Sequence, residues 1–207
     1  MAVNAAPHAV LVPRPAGPYG ALKRAADVAV AFVLLVGLSP LLALLALAIR
    51  LDSPGPAIFR QRRIGRGSRE FSIAKFRTMK TGTPDLASHL IQGQTASRLT
   101  RLGGFLRRTS LDELPQLWNV LRGDMTLVGP RPALWNQDDL IALRRAHGVD
   151  ALRPGVTGWA QVNGRDELPV SEKVRYDVEY LNRADAALDL EILLRTVVVL
   201  VTGRGTN

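Results

Sequence analysis

The feature that most constrains this chain is an apolar run near its N-terminus. Residues 28–49 form a stretch of 22 residues without a charged side chain. A helix of about 20 apolar residues is long enough to cross the hydrocarbon core of a bilayer, which is about 30 Å thick. A secretory signal would start earlier, would be shorter and would be followed by a small-residue cleavage site. We therefore expect the run to stay in the protein as a membrane-bound segment.

A Ser-Pro pair, Ser39-Pro40, interrupts the middle of this run. Proline removes one helical hydrogen bond and disfavours helical backbone in the residue before it, so the helix must bend or break at this point. Two arrangements follow. Either a kinked helix crosses the membrane, or two half-helices enter it and return, with the freed backbone groups satisfied by Ser39 and its neighbours.

Basic residues on both flanks of the run distinguish these arrangements. Lys23 and Arg24 precede it, and several arginines follow it closely. Lysine and arginine beside membrane segments favour the cytoplasmic side, and a spanning helix would export one of the two basic flanks. We therefore expect a re-entrant membrane helix over residues 21–50. A flexible tail is expected over residues 1–20, and a cytoplasmic domain on the membrane surface over residues 51–207.

Composition limits the chemistry open to that domain. The protein has 207 residues and no cysteine, so disulfides, thiolate metal sites and a cysteine nucleophile are excluded. Its three histidines lie too far apart to form a metal-binding pair in sequence. The net charge is +9, and residues 50–108 hold 13 lysines or arginines against three acidic residues. One basic section thus carries the excess, which implies an anionic partner: nucleic acid, a phospholipid surface or a phosphorylated substrate.

Two short strands are predicted inside the basic section. Residues 57–60 and 70–76 have strand-like composition and are separated by turn residues, which indicates a β-hairpin with a basic loop. Most of its arginines fit a loop lying on anionic headgroups. At the end of the second strand, Lys75 and Arg77 flank an aromatic residue, and this triplet is placed like a wall of a binding site. Residues 81–97 are polar and are predicted to be a mobile loop with a helical piece.

Residues 109–132 contain the densest group of special residue types in the chain. Asp112 and Glu113 follow two arginines, Arg107 and Arg108, and precede an apolar pattern with helical spacing. The two carboxylates are therefore expected at or near the N-terminus of a helix.

Glu113 has a structural interpretation, whereas Asp112 has none. Ser110 and Glu113 have the spacing of a capping box, and Pro115 suits the first turn of the helix that follows. Asp112 is left as a carboxylate in an arginine-rich neighbourhood. Further on, Arg131 stands between two prolines, so it starts from a stiff loop that suits bidentate phosphate binding. A solvated arginine in a rigid turn is the alternative.

The C-terminal half is predicted to be mainly helical. Helices are expected over residues 136–147, 169–183 and 188–201, and the last is too short to span a bilayer, so it should be interfacial or packed in the core. Residues 159–162 have a strand-like composition. The segment around them is either a turn, strand and turn or a loop that presents polar side chains to a ligand. Those side chains are Gln161, Asn163 and Arg165.

Six motifs, in this order, carry a resemblance to a known family. They are Ser39-Pro40, QRRIG at 61–65, KFRTM at 75–79, TSLDELPQ at 109–116, GPRP at 129–132 and RPGVTG at 153–158. Each is weak alone, but together they make residues 21–201 resemble the bacterial sugar transferases, which are monotopic polyprenol-phosphate phosphoglycosyl transferases.

The resemblance implies an activity, a location and a fold. Such enzymes move a sugar 1-phosphate from a UDP-sugar onto a polyprenol phosphate, undecaprenyl phosphate, at the cytoplasmic face of the bacterial inner membrane, and they release UMP. This is the first membrane step of polysaccharide or glycoconjugate assembly. The implied fold is α+β, with a small sheet, amphipathic interfacial helices and an N-terminal re-entrant helix broken at Ser39-Pro40. No nucleic-acid partner is implied, and a homo-oligomer stays open.

The resemblance also assigns site residues and a cofactor. Asp112 corresponds to the family's nucleophile and, with Glu113, is the expected Mg²⁺ ligand. The expected substrate-binding residues are Lys75, Arg77, Arg107, Arg131 and Asp189. Asp112 would attack the sugar-bearing phosphorus and expel UMP, and the polyprenol phosphate would then attack the same phosphorus. Residues 182–187 depart from the family pattern, which leaves sugar or membrane contacts there open.

Two other functions compete with this one. A membrane-anchored nucleic-acid binder would fit the net charge of +9, but aromatic residues make up only 5% of the chain and it contains no recognised nucleic-acid motif. A catalytically inactive family member acting as a membrane scaffold or regulator is the second alternative, and the intact Asp112, Arg107 and Arg131 argue against it. No residue specifies the sugar, the pathway, the oligomeric state or the role of Glu113.

Overall fold

The structure, a computed structural model, describes residues 18–83, 95–164 and 168–202. Most of the predicted tail, most of the loop predicted at 81–97, and Arg165 lie outside these residues. The helices are α1 (Pro18–Gly37), α2 (Ser39–Asp52), α3 (Thr95–Arg98), α4 (Gly103–Arg108), α5 (Gln116–Arg122), α6 (Asp138–Ala146), α7 (Trp159–Val162), α8 (Val170–Arg183) and α9 (Ala186–Thr202). The strands are β1 (Ile58–Ile64), β2 (Glu70–Phe76), β3 (Thr126–Val128) and β4 (Gly155–Thr157).

The strands form two small sheets, which confirms the predicted mixture of helices with a small amount of sheet. β1 and β2 pair antiparallel, with Ile58 opposite Phe76 and Ile64 opposite Glu70, so the predicted hairpin is correct and longer than expected. β3 and β4 pair parallel, with Val128 opposite Thr157.

The strand predicted at residues 159–162 is wrong, because these residues form α7. The preceding strand, β4, ends at Thr157 because its partner β3 has only three residues. Gly158 then accepts a hydrogen bond from the backbone of Val162 (3.1 Å), and the side chain of Asn163 donates one to the carbonyl of Trp159 (2.8 Å). Both bonds close a helical turn.

The apolar run is divided into α1 and α2, which are bent by 63° at Leu38. Pro40 lies in the first turn of α2, where its missing N–H costs no helical bond, and the hydroxyl of Ser39 donates to the carbonyl of Val36 (2.7 Å). Among the described residues, neither helix meets the length and hydropathy of a membrane span alone, whereas the bent pair does so by length and composition.

The first half of α1 packs on α5 and β3 through polar contacts. Arg24 donates hydrogen bonds to the carbonyls of Val120 (2.7 Å) and Leu121 (3.1 Å) at the end of α5. Asp27 is buried and accepts hydrogen bonds from the hydroxyl of Thr126 and the backbone N–H of Leu127. These contacts fix α1 to the rest of the fold before its apolar half begins.

The exposed apolar side chains of the helix pair lie mostly after this polar contact. Leu22 is exposed before it, and those after it are Val30, Phe32, Val33, Leu34, Val36, Leu41, Leu44, Leu47 and Leu51. The predicted C-terminal helix is confirmed as α9. One face of α9 is packed in the core through Leu188 and Ile192, whereas Leu194, Val197 and Val198 are exposed on the other.

Candidate active site

The segment that carries Asp112 and Glu113 connects α4 to α5. On one side, Leu106 of α4 packs in a buried cluster with Ile49 of α2. On the other side, Val120 of α5 packs in a second cluster with Ala31 of α1. Both helices of the bent apolar pair therefore support the short segment that holds the acidic residues.

Glu113 is the anchor of the site. Its Oε1 accepts a 2.7 Å hydrogen bond from Lys75 and lies 3.4 Å from Nη1 of Arg131. Burial opposes the ionised form of Glu113, but the two cations outweigh burial and lower the pKa of this carboxyl from 4.5 to about 2. Glu113 is thus a carboxylate at any physiological pH.

The predicted capping box is wrong. Ser110 has a left-handed backbone (φ 54°) and makes no side-chain hydrogen bond to the turn at Leu111–Glu113. The carboxylate of Glu113 binds Lys75 and Arg131 instead, because charge-assisted bonds to cations are stronger than a bond to a neutral N–H. Pro115 does precede α5, as expected.

Asp112 is in a different electrostatic state from its neighbour. The residue is buried, at 9% exposed. Burial and, after it, the charge of Glu113 raise the pKa of Asp112 from 3.8 to about 6, although Lys75, Arg107 and Arg131 act in the opposite direction. Two adjacent carboxyls with widely separated pKa values are typical of acid, base or nucleophile sites.

Lys75 and Arg107 enter the site from different elements. Lys75 lies near the end of β2, where burial lowers the pKa of its ammonium while Glu113 opposes that shift. Arg107 is in the last turn of α4, and its Nε donates to the hydroxyl of Thr78 (3.0 Å). The structure therefore brings together three of the predicted basic residues, Lys75, Arg107 and Arg131, at the acidic pair.

Arg77 is held elsewhere. Its guanidinium donates to the carbonyls of Ser53 and Pro54, both at 2.7 Å, and to that of Gly55 at 3.4 Å. It thereby satisfies carbonyls that follow the end of α2, where the helix dipole also favours a cation.

Asp189 joins three helices rather than contacting the acidic pair. It accepts hydrogen bonds from Tyr19 (2.6 Å) and Lys23 (2.5 Å) of α1 and from Tyr180 of α8 (2.7 Å). These bonds connect the start of α1 to α8 and α9. The sequence did not reveal that Asp189 has these three hydrogen-bonding partners.

The loop that carries Arg131 is built on close backbone packing. A Cβ on Gly158 would lie 2.1 Å from the carbonyl oxygen of Gly129, and a Cβ on Gly155 would lie 2.2 Å from the backbone nitrogen of Gly129. Only glycine fits at either place. The RPGVTG motif thus supports the GPRP motif physically, a relation that neither motif shows alone.

The acidic pair would suit a divalent cation only if phosphate oxygens and water supplied the other ligands. In the described part of the chain there is no group of three or more acidic or histidine side chains that could hold a metal by itself. Mg²⁺ commonly uses only one or two carboxylates together with substrate phosphates and water. Asp112 fits that role because a cation would offset the free-energy cost of burying its negative charge. Glu113 fits with its second oxygen, because the bonds from Lys75 and Arg131 both end on Oε1.

Sequence reasoning missed the residues that hold the Arg131 loop. Arg144 of α6 and Asp177 of α8 form a buried ion pair (2.7 Å), and Arg144 also donates to the carbonyl of Arg131 (2.7 Å). In the sequence they appear as ordinary polar positions of amphipathic helices. The one available signal was a charged residue at a position that the helical pattern predicts to be buried.

The structure places two carboxyls and three basic side chains close to a bent apolar helix pair, and comparison with known proteins identifies the family. A model of the bacterial sugar transferases matches residues 18–203. The chain belongs to the bacterial sugar transferase family, as its motifs predicted.

Three relatives illustrate the range of this similarity. A UDP-glucose:undecaprenyl-phosphate glucose-1-phosphate transferase of Caulobacter vibrioides is 44% identical over 209 residues, covering 93% of this chain and 76% of the relative. An undecaprenyl-phosphate glucose phosphotransferase of Komagataeibacter xylinus is 43% identical over 199 residues, covering 91% of this chain. A UDP-N-acetylgalactosamine-undecaprenyl-phosphate N-acetylgalactosaminephosphotransferase of Aeromonas hydrophila is 36% identical over 202 residues, covering 95% of this chain. The chain spans only 37% of the second relative's length and 47% of the third's.

Proposed function

We propose that this protein transfers a sugar 1-phosphate from a UDP-sugar to undecaprenyl phosphate, with Asp112 as the nucleophile and UMP as the first product. One observation carries the proposal: a buried pair of carboxyls in which Lys75 and Arg131 hold Glu113 ionised, while Asp112 keeps a pKa of about 6. Membership of the bacterial sugar transferase family supports it.

In the first step, a carboxylate oxygen of Asp112 attacks the phosphorus that bears the sugar. A new oxygen–phosphorus bond forms, the bond to the bridging oxygen of the diphosphate breaks, and UMP leaves with that electron pair. The product is a sugar phosphate joined to the carboxyl of Asp112 as an acyl phosphate. The reaction joins an anion to an anionic diphosphate, so Arg107 and Arg131 serve to offset the charge.

In the second step, a phosphate oxygen of undecaprenyl phosphate attacks the same phosphorus. The bond to Asp112 breaks, the carboxylate is regenerated, and the sugar is left on a lipid-linked diphosphate. Lys75 holds Glu113 in place during both steps, and Glu113 in turn orients Arg131. When bound by Asp112 and Glu113, Mg²⁺ would supply further positive charge at the diphosphate.

The position of the acidic pair suits a lipid acceptor. α4 and α5, which flank it, are packed on α2 and α1, respectively. With the apolar pair inserted as a re-entrant hairpin at the cytoplasmic face of the inner membrane, the carboxyls would lie close to the headgroup level. A polyprenol phosphate, whose chain stays in the bilayer, would then reach Asp112 with its phosphate.

The names of the relatives guide the choice of donor. The Caulobacter and Komagataeibacter relatives are named for glucose, and the Aeromonas relative for N-acetylgalactosamine. We therefore place UDP-glucose first in a panel of donors, followed by UDP-N-acetylgalactosamine.

The direct test is UMP release by the purified full chain with Mg²⁺ and undecaprenyl phosphate. The proposal expects turnover with at least one UDP-sugar and none with Asp112→Asn. A matched control is Asp138→Asn, which removes an exposed carboxylate from the start of α6. Full activity of Asp112→Asn would remove Asp112 from the chemistry, and silence of the folded wild type with every donor would leave the scaffold alternative.

A further inference from the structure

The loop around Arg131 is held by three consecutive carbonyl groups. The carbonyl of Pro130 accepts a hydrogen bond from the backbone of Gly155 (2.9 Å), that of Arg131 from Nη1 of Arg144 (2.7 Å), and that of Pro132 from Nη1 of Arg63 (3.0 Å). The three donors come from β4, α6 and β1. Each carbonyl is thus fixed by a different element.

Arg144 is itself held by a buried partner. Its Nε and Nη2 donate to one carboxylate oxygen of Asp177, at 2.9 and 2.7 Å, which leaves Nη1 directed at the loop. Asp177 is 1% exposed, and burial raises the pKa of its carboxyl against the opposing effect of Arg144. A buried ion pair gives little net stability compared with apolar residues of similar volume, so its presence calls for another reason.

The position of the loop supplies that reason. Two prolines restrict the backbone on either side of Arg131. The hydrogen bonds to the three carbonyls fix the remaining freedom of the loop backbone. The guanidinium of Arg131 then lies at the acidic pair, 3.4 Å from Glu113. A long side chain binds an anion well only when its base is fixed, because each rotamer frozen on binding weakens affinity.

We propose that Arg144, oriented by Asp177, is a positioning residue that fixes Arg131 for binding the donor diphosphate. Arg144 acts through the backbone of Arg131 and does not touch the substrate. Arg63 fixes the other end of the loop in the same way. This inference rests on the proposed function, since it assumes that Arg131 binds a phosphate.

A purely structural role of the Arg144 and Asp177 pair predicts different behaviour. In that case, replacing both residues with leucine would restore stability and ligand binding together, because the apolar pair fills the same space. A positioning role predicts that stability returns while diphosphate binding does not, because leucine cannot donate to the carbonyl of Arg131.

The experiment measures binding of UDP with Mg²⁺ to the full chain by calorimetry, alongside thermal unfolding. The variants are Arg131→Met, Arg144→Met, their combination, and the double leucine replacement at positions 144 and 177. The control is Arg175→Gln, which breaks an exposed ion pair with Glu172 on the same helix, α8. Arg175→Gln should bind UDP like the wild type.

We expect Arg131→Met and Arg144→Met each to weaken UDP binding by about tenfold, the size expected for one charge-assisted contact. Adding Arg144→Met to Arg131→Met should weaken binding by less than about twofold more, because residues that act through one another are not additive. The double leucine variant should unfold like the wild type yet bind UDP about tenfold more weakly.

Two results would overturn the inference. One is full additivity of Arg131→Met and Arg144→Met in folded proteins, and the other is wild-type UDP binding by the double leucine variant. A different result, wild-type binding by Arg131→Met itself, would instead remove Arg131 from the diphosphate site and contradict the proposed function.

Discussion

Asp112 and Glu113 are neighbours in the chain, yet their pKa values are shifted in opposite directions. Glu113 lies within reach of two cations and is ionised, whereas burial and the charge of Glu113 keep a proton on Asp112 up to a pKa of about 6. A nucleophile with a pKa just below neutrality combines substantial ionisation at pH 7 with high intrinsic reactivity. This difference arises from the partners of each side chain and not from the residue types.

The first prediction concerns the pH dependence of activity. Because Asp112 must be ionised to attack phosphorus, kcat/KM should fall below a pKa of about 6 and reach a plateau above it. The measurement is UMP release against pH at low donor concentration. In Glu113→Gln the acid limb should move to lower pH, because the charge that raises the pKa of Asp112 is gone. An acid limb that stays in place in Glu113→Gln would contradict this coupling.

The second prediction concerns stability. The folded pKa of Asp112, about 6, lies above its ordinary value of 3.8, so the folded state holds the proton more tightly than the unfolded state. Ionisation of Asp112 therefore destabilises the folded state. The full cost is present well above pH 6, and it is absent below about pH 4. Asp112→Asn should raise the free energy of unfolding at pH 7.5 by on the order of 2 kcal/mol, and by much less at pH 4.5. Equal effects of this substitution at both pH values would argue against the shift.

Among the site residues, the sequence was most informative where the residue type alone sets the chemistry. Lys75, Arg107 and Arg131 do lie around the acidic pair. Arg77 and Asp189 were predicted to bind substrate, and this stays a prediction. In the structure, Arg77 donates to backbone carbonyls, and Asp189 accepts hydrogen bonds from Tyr19 and Lys23. Partners that are distant in the chain decide such cases, and no local spacing encodes them.

At the scale of elements, α1 begins well before the apolar run and combines a polar surface with an apolar one. Its polar side chains before residue 28 dock on the domain, and its exposed apolar side chains follow. The charge-based expectation used Lys23 and Arg24 as a basic flank of the apolar run, and in the structure both also form hydrogen bonds within the fold. Such contacts require the tertiary structure.

The third prediction tests this docking. Asp27→Ala leaves the hydroxyl of Thr126 and the N–H of Leu127 without their acceptor, which should lower the free energy of unfolding by about 1–3 kcal/mol. Asp27→Asn keeps an acceptor oxygen and should lose less. Thermal unfolding of the two variants in detergent measures the difference, and equal stability of Asp27→Ala and wild type would show that the contact is unimportant.

The antiparallel hairpin and the long helices were predicted correctly because their signals are local: alternation, turn residues and helical spacing. The parallel pair of β3 and β4 was not predicted, since it joins three-residue strands far apart in the chain. Residues 159–162 were read as strand-like because a helix of four residues, α7, is too short to show helical spacing. Pairing between short segments that are far apart in the chain produces no periodic pattern in the sequence.

At the scale of the whole molecule, the bent apolar pair and the segment that carries Asp112 and Glu113 form one unit. α2 packs on α4 and α1 packs on α5, so the connection that holds Asp112 is supported from both sides of the bend. A re-entrant insertion of that pair, which we propose, would keep both of its ends on one side of the membrane, and the docking of α1 on α5 and β3 is compatible with it.

The fourth prediction tests this topology. The natural chain has no cysteine, so single labels can be introduced cleanly. His8→Cys, before the helix pair, and Asp138→Cys, after it, should both resist a membrane-impermeant maleimide in intact cells and react after lysis. Reaction of His8→Cys in intact cells would show that the pair crosses the membrane and would reject the re-entrant insertion.

The measurement that tests the central claim most directly is the mass of the intact protein after mixing with UDP-sugar and Mg²⁺ in the absence of undecaprenyl phosphate. The account predicts that the chain gains the mass of one sugar phosphate, that proteolysis places it on Asp112, and that adding undecaprenyl phosphate removes it. Asp112→Asn should gain nothing. UMP release by a wild-type chain that never carries the sugar phosphate, under conditions where the acceptor is consumed, would contradict the account and indicate direct transfer from donor to lipid.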